Sequence, residues 1–297
     1  MLSILIPTYN YPISQLVTSL NKVINLIDFD CEILCLEDGS TMHVDDNKKT
    51  CNTYESTFHF LSKKNKGSIA SRKYLCKKAK YNWLLFLDAD VEITSDGFIT
   101  TYSKYFNEGN DAIYGGCSYQ DLKPKDSGIL RWTYGKTFEE VKSSIRNKTP
   151  YKFLVSANFL IKKSVFIALT SNIADEGYGY DLFLAAKMKT QNIKVLHIDN
   201  PVIHKGLDTN HTYLKKIKQA VETSYKLLIE KKIDYSENSL LKTYITFKKF
   251  HLTKPIYSIY NWFKAPIEKQ LIGNKPNMKL LQFYKLGYLC ALSFKYK

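Results

Sequence analysis

The sequence predicts an α/β fold in which a mostly parallel central sheet is flanked by helices and followed by a basic, helical C-terminal extension. Four short apolar runs alternate with helical repeats over the first 90 residues, which is typical of βαβ units and a parallel sheet. Polar residues follow directly after most of these runs. The charge is uneven: residues 242–297 hold 11 Lys and one acid, which is +10 of the net +15.

The predicted strands are apolar runs, and three of them end at proline or at polar turn residues. They are 2–7 (LSILIP), 31–36 (CEILCL), 57–61 (TFHFL) and 83–87 (WLLFL). Beyond residue 110 the pattern is mixed. It predicts strands at 111–116, 156–161 and 193–198, helices at 180–190 and 210–232, and a polar helical or lid-like segment at 126–148.

The composition excludes several classes of protein. Hydrophobic residues make up 44% of the 297-residue chain, which is enough for a sizeable core. The chain has no run of 18 consecutive apolar residues, so no helix is expected to span a bilayer. The start, MLSILIPTYN, has no basic region of the kind that opens a signal peptide, and the six Cys show no disulfide or zinc spacing. We therefore expect a cytoplasmic protein with reduced thiols.

Polar segments directly follow the predicted strands at 2–7, 31–36 and 83–87. After the strand at 57–61, the polar segment forms the start of the next helix. Right-handed crossovers place the carboxyl ends of parallel strands on one edge of the sheet, and ligands of open α/β sheets bind there. The segments are 8–10 (TYN), 37–38 (ED), 65–72 (NKGSIASR) and 88–90 (DAD). The sequence therefore predicts one polar rim assembled from four separate segments.

Two of these segments have chemistry of their own. Asp88 and Asp90 flank one small residue after a buried strand, so they can hold a divalent cation that neutralises a diphosphate; the alternative is a strand-end turn. Asn65 and Gly67 open a helix whose N-terminus favours an anion. Arg72 lies on the second turn of that helix and supplies a planar fork that Lys cannot; the alternative is a solvated helix face.

Four segments in chain order carry a family resemblance. They are 5–10 (LIPTYN), 36–40 (LEDGS), 65–72 (NKGSIASR) and 86–90 (FLDAD). The ordered set resembles the nucleotide-sugar half of glycosyltransferase family 2, an inverting family with the GT-A fold. The resemblance is close over residues 2–92 and looser to about 215, and it implies a GT-A fold here.

The resemblance also implies site residues. Residues matching Pro7, Thr8 and Tyr9 line the family's nucleotide site, and the one matching Asp38 contacts the base. Glu37 is a departure, because Asp is commoner at that position.

The remaining implied roles concern the phosphates and the metal. The residue matching Arg72 holds the nucleotide, the one matching Asp88 lies near the ribose, and the one matching Asp90 binds Mn²⁺ or Mg²⁺. In several GT-A enzymes a histidine completes the metal site, and His204 in 198–206 (IDNPVIHKG) matches it. An ordinary hydrogen-bonded histidine is the alternative.

Residues 175–182 (DEGYGYDL) resemble the acceptor-side motif of the family, in which an aromatic-Gly-aromatic sequence precedes two acids. Only Asp181 follows Tyr180, so one acid of the pair is missing. Asp181 is the predicted general base for the acceptor hydroxyl. Asp175 or Glu176 are alternatives, and Asp181 could instead cap the helix.

These expectations combine into one predicted function. The chain is expected to be a metal-dependent inverting glycosyltransferase of hexosyl type. The donor is a nucleoside-diphosphate sugar, with UDP as the expected nucleotide, and the acceptor is a glycan or lipid-linked hydroxyl in cell-surface polysaccharide synthesis. The alternatives are a nucleotide-sugar-binding protein without catalysis and a nucleic-acid-binding protein that uses its basic end.

The predicted domains are a catalytic domain, 1–240, and a basic aromatic extension, 241–297. Residues 1–110 would bind the nucleotide sugar and 111–240 the acceptor. The extension predicts an anionic partner, which we take to be the inner face of the cell membrane rather than nucleic acid. The alternative is that its aromatic residues pack on the catalytic domain while the lysines face water.

Overall fold

The structure is a computed structural model that describes residues 1–125, 127–171, 173, 179 and 181–295. The chain forms two compact units. Unit 1 comprises Met1–Gln120, Glu139–Glu176 and Met188–Gly206, and unit 2 comprises Asp121–Phe138, Gly177–Lys187 and Leu207–Lys297.

Unit 1 is built on a twisted sheet of seven strands among the described residues, in the order β3-β2-β1-β4-β8-β6-β9. Most neighbouring pairs are parallel, and β8 runs antiparallel to β4 and β6. The bounds are β1 Leu2–Thr8, β2 Cys31–Asp38, β3 Thr57–Ser62, β4 Trp83–Leu87, β6 Ala112–Tyr114, β8 Asn158–Lys162 and β9 Val195–His197. The predicted α/β class with a mostly parallel sheet is confirmed.

Helices connect these strands. Their bounds are α1 Ser14–Ile24, α2 Val44–Cys51, α3 Ser68–Lys78, α4 Phe98–Ser103, α6 Ser143–Arg146 and α7 Lys163–Thr170. The central strands β1, β2 and β4 are buried along almost their full length, which is why they read as continuous apolar runs. Ile13, Leu16, Val17 and Leu20 of the α1 region join the strand residues in one core.

A second, three-stranded sheet in unit 1 joins segments that are far apart in sequence. It consists of β5 Val91–Glu92, β10 Val202–His204 and β7 Cys117–Ser118, in the order β5-β10-β7. In the antiparallel β5–β10 pair, His204 is opposite Val91. This pairing brings the segment after β4 next to the end of β10.

Unit 2 is helical. Its elements include α5 Ile129–Phe138, α9 Asn210–Ile229, α10 Ser239–Lys249, α11 Thr253–Leu271 and α12 Met278–Lys295, so the C-terminal region is helical as expected. Its core is a cluster of buried apolar and aromatic residues from α5, α9, α11 and α12. Tyr260 of α11 and Tyr284 of α12 meet edge to face, with 5.5 Å between ring centroids.

The sequence prediction missed several short elements. Helices α2 and α4 and strands β5, β7 and β10 were not anticipated. The 126–148 segment, which was predicted to be helical or lid-like, contains helices α5 and α6. Helix α8, Asp181–Thr190, matches the predicted helix at 180–190. None of the six cysteines, all of them within the described residues, forms a disulfide, and all six are buried. In the described part of the chain, no helix is long and apolar enough to cross a membrane.

Candidate active site

The carboxyl ends of β1, β2 and β4 form one edge of the unit 1 sheet. These three strands are adjacent and parallel, so Thr8, Asp38 and Leu87 end on the same side. Thr8 is buried, and the next residue, Tyr9, is 55% exposed. The rim predicted from sequence is therefore present, with Pro7, Thr8 and Tyr9 at its centre.

The loops after β1 and β2 are tied together. Asn10 takes a positive φ of 50°, and its Oδ1 accepts hydrogen bonds from the backbone N–H of Thr41 at 2.8 Å and Met42 at 3.1 Å. The Asn10 N–H donates to Ser40 Oγ at 2.9 Å. These bonds fix the loop that carries Tyr9.

Asp38 joins the end of β2 to the start of α3. Its carboxylate accepts from the backbone N–H of Lys66 at 3.0 Å and of Gly67 at 2.9 Å. Gly67 has φ +85°, a conformation that a side chain would strain. The amide oxygen of Asn65 also accepts from the Gly67 N–H, at 3.0 Å. Asp38, Asn65 and Gly67 thus shape one loop at the helix N-terminus.

A cavity of about 650 Å³ opens beside this loop. Asp38, Lys66 and Ser71 are among its lining residues. A carboxylate has about four acceptor positions, and the Lys66 and Gly67 N–H groups make three short contacts with it. Asp38 therefore borders the cavity with a carboxylate that the backbone of the loop already holds in place.

Arg72 and Asp88 form an ion pair within unit 1. Arg72 Nη2 lies 2.7 Å from Asp88 Oδ1 and 3.4 Å from the carbonyl oxygen of Ser156. The Arg72 side chain is nearly buried, whereas that of Asp88 is about one-third exposed. Arg72 Nε is buried and has no hydrogen-bond partner among the described residues. The pair holds the Asp88 carboxylate at the exposed end of β4.

Asp90 lies next to His204. Asp90 Oδ2 is 3.5 Å from His204 Nε2, and both side chains are partly accessible. The backbone supports this contact, because Lys205 N–H donates to the Asp90 carbonyl oxygen at 2.8 Å. The ring of His204 stacks on Tyr119, with 5.7 Å between centroids. The β5–β10 pairing therefore brings together the two predicted metal ligands.

Gly206 leaves room for the Asp90 carboxylate. A Cβ built on Gly206 would lie 2.1 Å from Asp90 Oδ2 and 2.6 Å from Asp90 Cβ. No other residue type fits there without moving Asp90. Burial raises the pKa of the Tyr11 hydroxyl, and the charge of Asp90 raises it further.

The donor set fits a divalent cation. One carboxylate oxygen and one imidazole nitrogen suit Mn²⁺. Two donors that each lie about 2.1 Å from an ion are at most about 4.2 Å apart, so a 3.5 Å separation is compatible with a shared ion. Among the described residues, no group of three or more His, Cys, Asp or Glu side chains could hold a metal by itself. Asp90 and His204 would thus leave coordination positions for a ligand's phosphates.

Comparison with known families decides the identity of the fold. A model of glycosyl transferase family 2 matches residues 3–170, which is more than half of the chain. The chain belongs to glycosyl transferase family 2. An uncharacterised glycosyltransferase of Rickettsia bellii is 29% identical over 120 residues. That alignment covers 40% of this chain and only 17% of the relative's length.

Solved structures support the GT-A fold of this family 2 member. A mannosyltransferase from Pyrobaculum calidifontis, in complex with GDP-Man and Mn²⁺, has a TM-score of 0.60 at 11% identity. The match covers 99% of this chain and 86% of that one. Glucosyl-3-phosphoglycerate synthase from Mycobacterium tuberculosis, in complex with Mn²⁺, UDP and glucosyl-3-phosphoglycerate, has a TM-score of 0.51 at 15% identity, covering 74% and 77%.

The predicted site residues of the family 2 chain divide between the two units. Ten of them lie in unit 1: Pro7, Thr8, Tyr9, Asp38, Asn65, Gly67, Arg72, Asp88, Asp90 and His204. Asp181 is the first residue of α8 and belongs to unit 2. Its two alternatives, Asp175 and Glu176, lie outside the described residues.

Glu37, the departure from the family pattern, and Asn158, at the start of β8, both make structural contacts. Glu37 is fully buried and accepts a hydrogen bond from Asn47 Nδ2 at 2.7 Å. Asn47 Oδ1 in turn accepts from the Ile13 N–H at 3.0 Å, so Glu37 supports the loop that leads into α1. Asn158 is also buried, and its amide donates to the carbonyls of Gly116 and Asn200.

Gly206 was not predicted from the sequence as a site residue. Gly206 follows the predicted ligand His204 by two residues, and a glycine so close to a ligand was the available signal. Its significance depends on the approach of Asp90, which is 116 positions away in the chain. Only the paired strands β5 and β10 bring these positions together.

Proposed function

We propose that this family 2 chain is a metal-dependent inverting glycosyltransferase. It would transfer a sugar, of hexosyl type, from a nucleoside-diphosphate donor to a hydroxyl of a glycan or lipid-linked acceptor. UDP is the proposed nucleotide and cell-surface polysaccharide synthesis the proposed setting. The observation that carries the proposal is the contact between Asp90 and His204. Asp90 lies two residues after Asp88, the carboxylate that directly follows β4 and pairs with Arg72.

Donor binding would use the rim of unit 1. The N-terminus of α3 favours negative charge because its backbone N–H groups are not used within the helix. Asp38, whose counterpart in the family contacts the base, lines a cavity of about 650 Å³ that has the size of a ligand pocket. The exposed ring of Tyr9 would then flank the nucleotide.

The metal would be held by Asp90 and His204. When bound, Mn²⁺ or Mg²⁺ supplies positive charge that stabilises the departing diphosphate. Arg72 has a different task, because it orients Asp88 through the 2.7 Å contact between Nη2 and Oδ1. Its charge also lowers the cost of placing several carboxylates and phosphates together.

Asp181 is the proposed general base. It would take the proton of the acceptor hydroxyl while that oxygen attacks the anomeric carbon from the face opposite the leaving group. One displacement of this kind inverts the anomeric centre. The bond that forms joins the acceptor oxygen to the anomeric carbon, and the bond that breaks releases the nucleoside diphosphate.

The test is a thermal-shift screen of nucleoside-diphosphate sugars with and without Mn²⁺, followed by a transfer assay with the stabilising donor. Stabilisation by a UDP-sugar that requires Mn²⁺ is expected. Asp90→Ala should abolish both the Mn²⁺-dependent stabilisation and the transfer. Asp96→Ala is the matched control, because it removes one exposed acid of unit 1 whose contact is a surface pair with Lys22.

Three outcomes would count against the proposal. Full transfer activity in Asp90→Ala would refute the role of that carboxylate. Donor binding without transfer to any glycan or lipid-linked acceptor would favour a binding protein without catalysis. Stabilisation by nucleic acid alone would favour the other alternative.

A further inference from the structure

Helix α11 has an apolar outer face as well as an apolar inner face. Tyr260, Ile267 and Leu271 point inward and are buried in the core of unit 2. On the outside, apolar residues recur at steps of three or four, which places them along one side of a helix. This α11 strip consists of Leu252, Pro255, Ile259, Trp262, Phe263 and Pro266.

The α11 strip is strongly exposed. Trp262 has 81% of its surface accessible, and Leu252, Ile259 and Phe263 are exposed as well. Phe250, at the turn between α10 and α11, adds another accessible ring. Scattered exposed apolar residues need no explanation, but a contiguous strip with an exposed tryptophan is typical of an interaction surface.

The surroundings of the strip are positively charged. Residues 241–267 contain no acid, and lysines 248, 249, 254 and 264 lie within or beside the strip's segment. The one acid in 242–297 is Glu268, which lies 3.0 Å from Lys218 Nζ. Burial acts to raise the pKa of Glu268, but contacts with Tyr284 and Lys218 outweigh it and lower that pKa. The charge of Lys264 also interacts with Glu268, whereas Lys248, Lys249 and Lys254 have no acid in residues 241–267 to neutralise them.

We propose that the α11 strip and its neighbouring lysines dock the protein on the surface of an anionic lipid membrane. Trp and Phe rings partition into the interface between headgroups and acyl chains. Lysines beside them attract anionic headgroups while their aliphatic stems cover apolar surface. The helix would lie in the membrane plane, with its inner face still packed on unit 2.

Two other occupants fit these residues less well. Nucleic acid is commonly bound through arginine, yet Arg72, Arg131 and Arg146 are all buried. The aliphatic side chains of Leu252 and Ile259 also offer no ring on which a base could stack. A second copy of the chain would bring two lysine-rich faces together, and like charges repel.

The proposal can be tested by flotation of the full chain with vesicles. We expect binding to vesicles of 70 mol% phosphatidylcholine and 30 mol% phosphatidylglycerol at 0.1 M salt. Binding to pure phosphatidylcholine should be at least tenfold weaker. Trp262→Ala, and separately Lys248→Glu with Lys249→Glu, should each weaken binding to the anionic vesicles about tenfold or more.

Matched controls separate this surface from general charge and stickiness. Leu122→Ala removes another apolar side chain of unit 2 with 81% exposure. Lys104→Glu with Lys148→Glu makes the same change in net charge on exposed positions of unit 1. Both controls should bind like the unchanged protein. Equal loss in the controls, or no binding to anionic vesicles, overturns the proposal.

A second readout concerns the depth of Trp262. Lipids brominated on their acyl chains should quench its fluorescence, and Trp262→Phe should remove the quenched component. The signals of the buried Trp83 and the half-buried Trp132, which lie outside the α11 strip, should remain. A dimer that Trp262→Ala dissociates would overturn the proposal in favour of self-association. Tighter, Trp262-dependent binding to an oligonucleotide would overturn it in favour of nucleic acid. None of these measurements depends on sugar transfer, so the proposed activity and the membrane surface can fail separately.

Discussion

Replacing Gly206 with alanine tests the placement of Asp90 with a single methyl group. The new Cβ would lie 2.1 Å from Asp90 Oδ2 and 2.6 Å from Asp90 Cβ. The carboxylate can rotate away, but Cβ cannot, so the loop of Gly206 must also move. The substitution therefore acts on the proposed metal ligand without changing its chemistry or the charge of the protein.

The size of the effect follows from these distances. Ordinary contacts begin at 3.4 Å, so the Asp90 oxygen at 2.1 Å must move by about 1.3 Å. A misplacement of about 1 Å in a catalytic constellation costs roughly 10²-fold in rate, which is about 2.7 kcal/mol of transition-state stabilisation. Overpacking should cost a further ~1–3 kcal/mol of folding stability.

The assay compares Gly206→Ala with Gly97→Ala in Mn²⁺ titrations of transfer activity. A Cβ on Gly97 would meet its nearest neighbours at 3.4 and 3.6 Å, which are ordinary contacts. We expect Gly206→Ala to need a higher Mn²⁺ concentration and to turn over about 10²-fold more slowly, while Gly97→Ala behaves normally. Thermal melts should show that both variants are folded.

A folded Gly206→Ala protein with unchanged Mn²⁺ dependence and rate would refute the reasoning. It would mean that the Asp90 carboxylate need not occupy the position next to His204. An unfolded Gly206→Ala protein would instead contradict the expectation that the loop can adapt for ~1–3 kcal/mol.

Three further predictions concern other residues. Asp181→Asn should keep donor binding and lose roughly 10²–10⁴-fold in turnover. Arg146→Met should cost about 3–5 kcal/mol in urea unfolding, because the buried guanidinium donates to the Val141 and Ile198 carbonyls at 2.9 and 2.7 Å. Burial, with the Arg146 charge, lowers the pKa of His197 to about 4. Between about pH 6.5 and pH 4 the unfolded state binds a proton on His197 that the folded state does not. The free energy of unfolding therefore falls as the pH drops from about 6.5 toward 4, and we expect a loss of about 2 kcal/mol between pH 7.5 and 5.

For each of these predictions, one result would contradict it. Unchanged turnover in Asp181→Asn would move the base to Asp175 or Glu176. For Arg146, the exposed Lys148→Met is the control, and an equal effect in both would show that the buried hydrogen bonds contribute little. For His197, the pH slope should flatten in His197→Gln, and a parallel slope would assign the acid loss to other groups.

Much of unit 1 could be predicted from sequence, because its strands are short apolar runs that end at turn residues. A central parallel strand is buried on both faces, so β1, β2 and β4 appear as continuous hydrophobic segments. Helices α2 and α4 were missed for the opposite reason. Helix α2 is largely polar, and α4 spans only six residues, so neither shows a clear repeat of apolar positions.

The order of the motifs in the chain was sufficient to predict the family and the rim of the sheet. Parallel strands joined by crossovers must end on the same edge, so Thr8, Asp38 and Asp88 could be grouped from the sequence alone. The contact of Asp90 with His204 was expected from the family resemblance alone. No local pattern relates two residues that are 114 positions apart.

The amino-acid sequence by itself determined the α/β class, the strand ends that carry polar residues, and the basic C-terminal region, because these depend on local periodicity and composition. Only the tertiary structure decided that Gly206 makes room for Asp90, that Arg72 reaches Asp88, and which lysine-flanked face of α11 is left exposed. Those features depend on distances between distant segments, and such distances are set by how strands pair and helices pack rather than by the residues on either side.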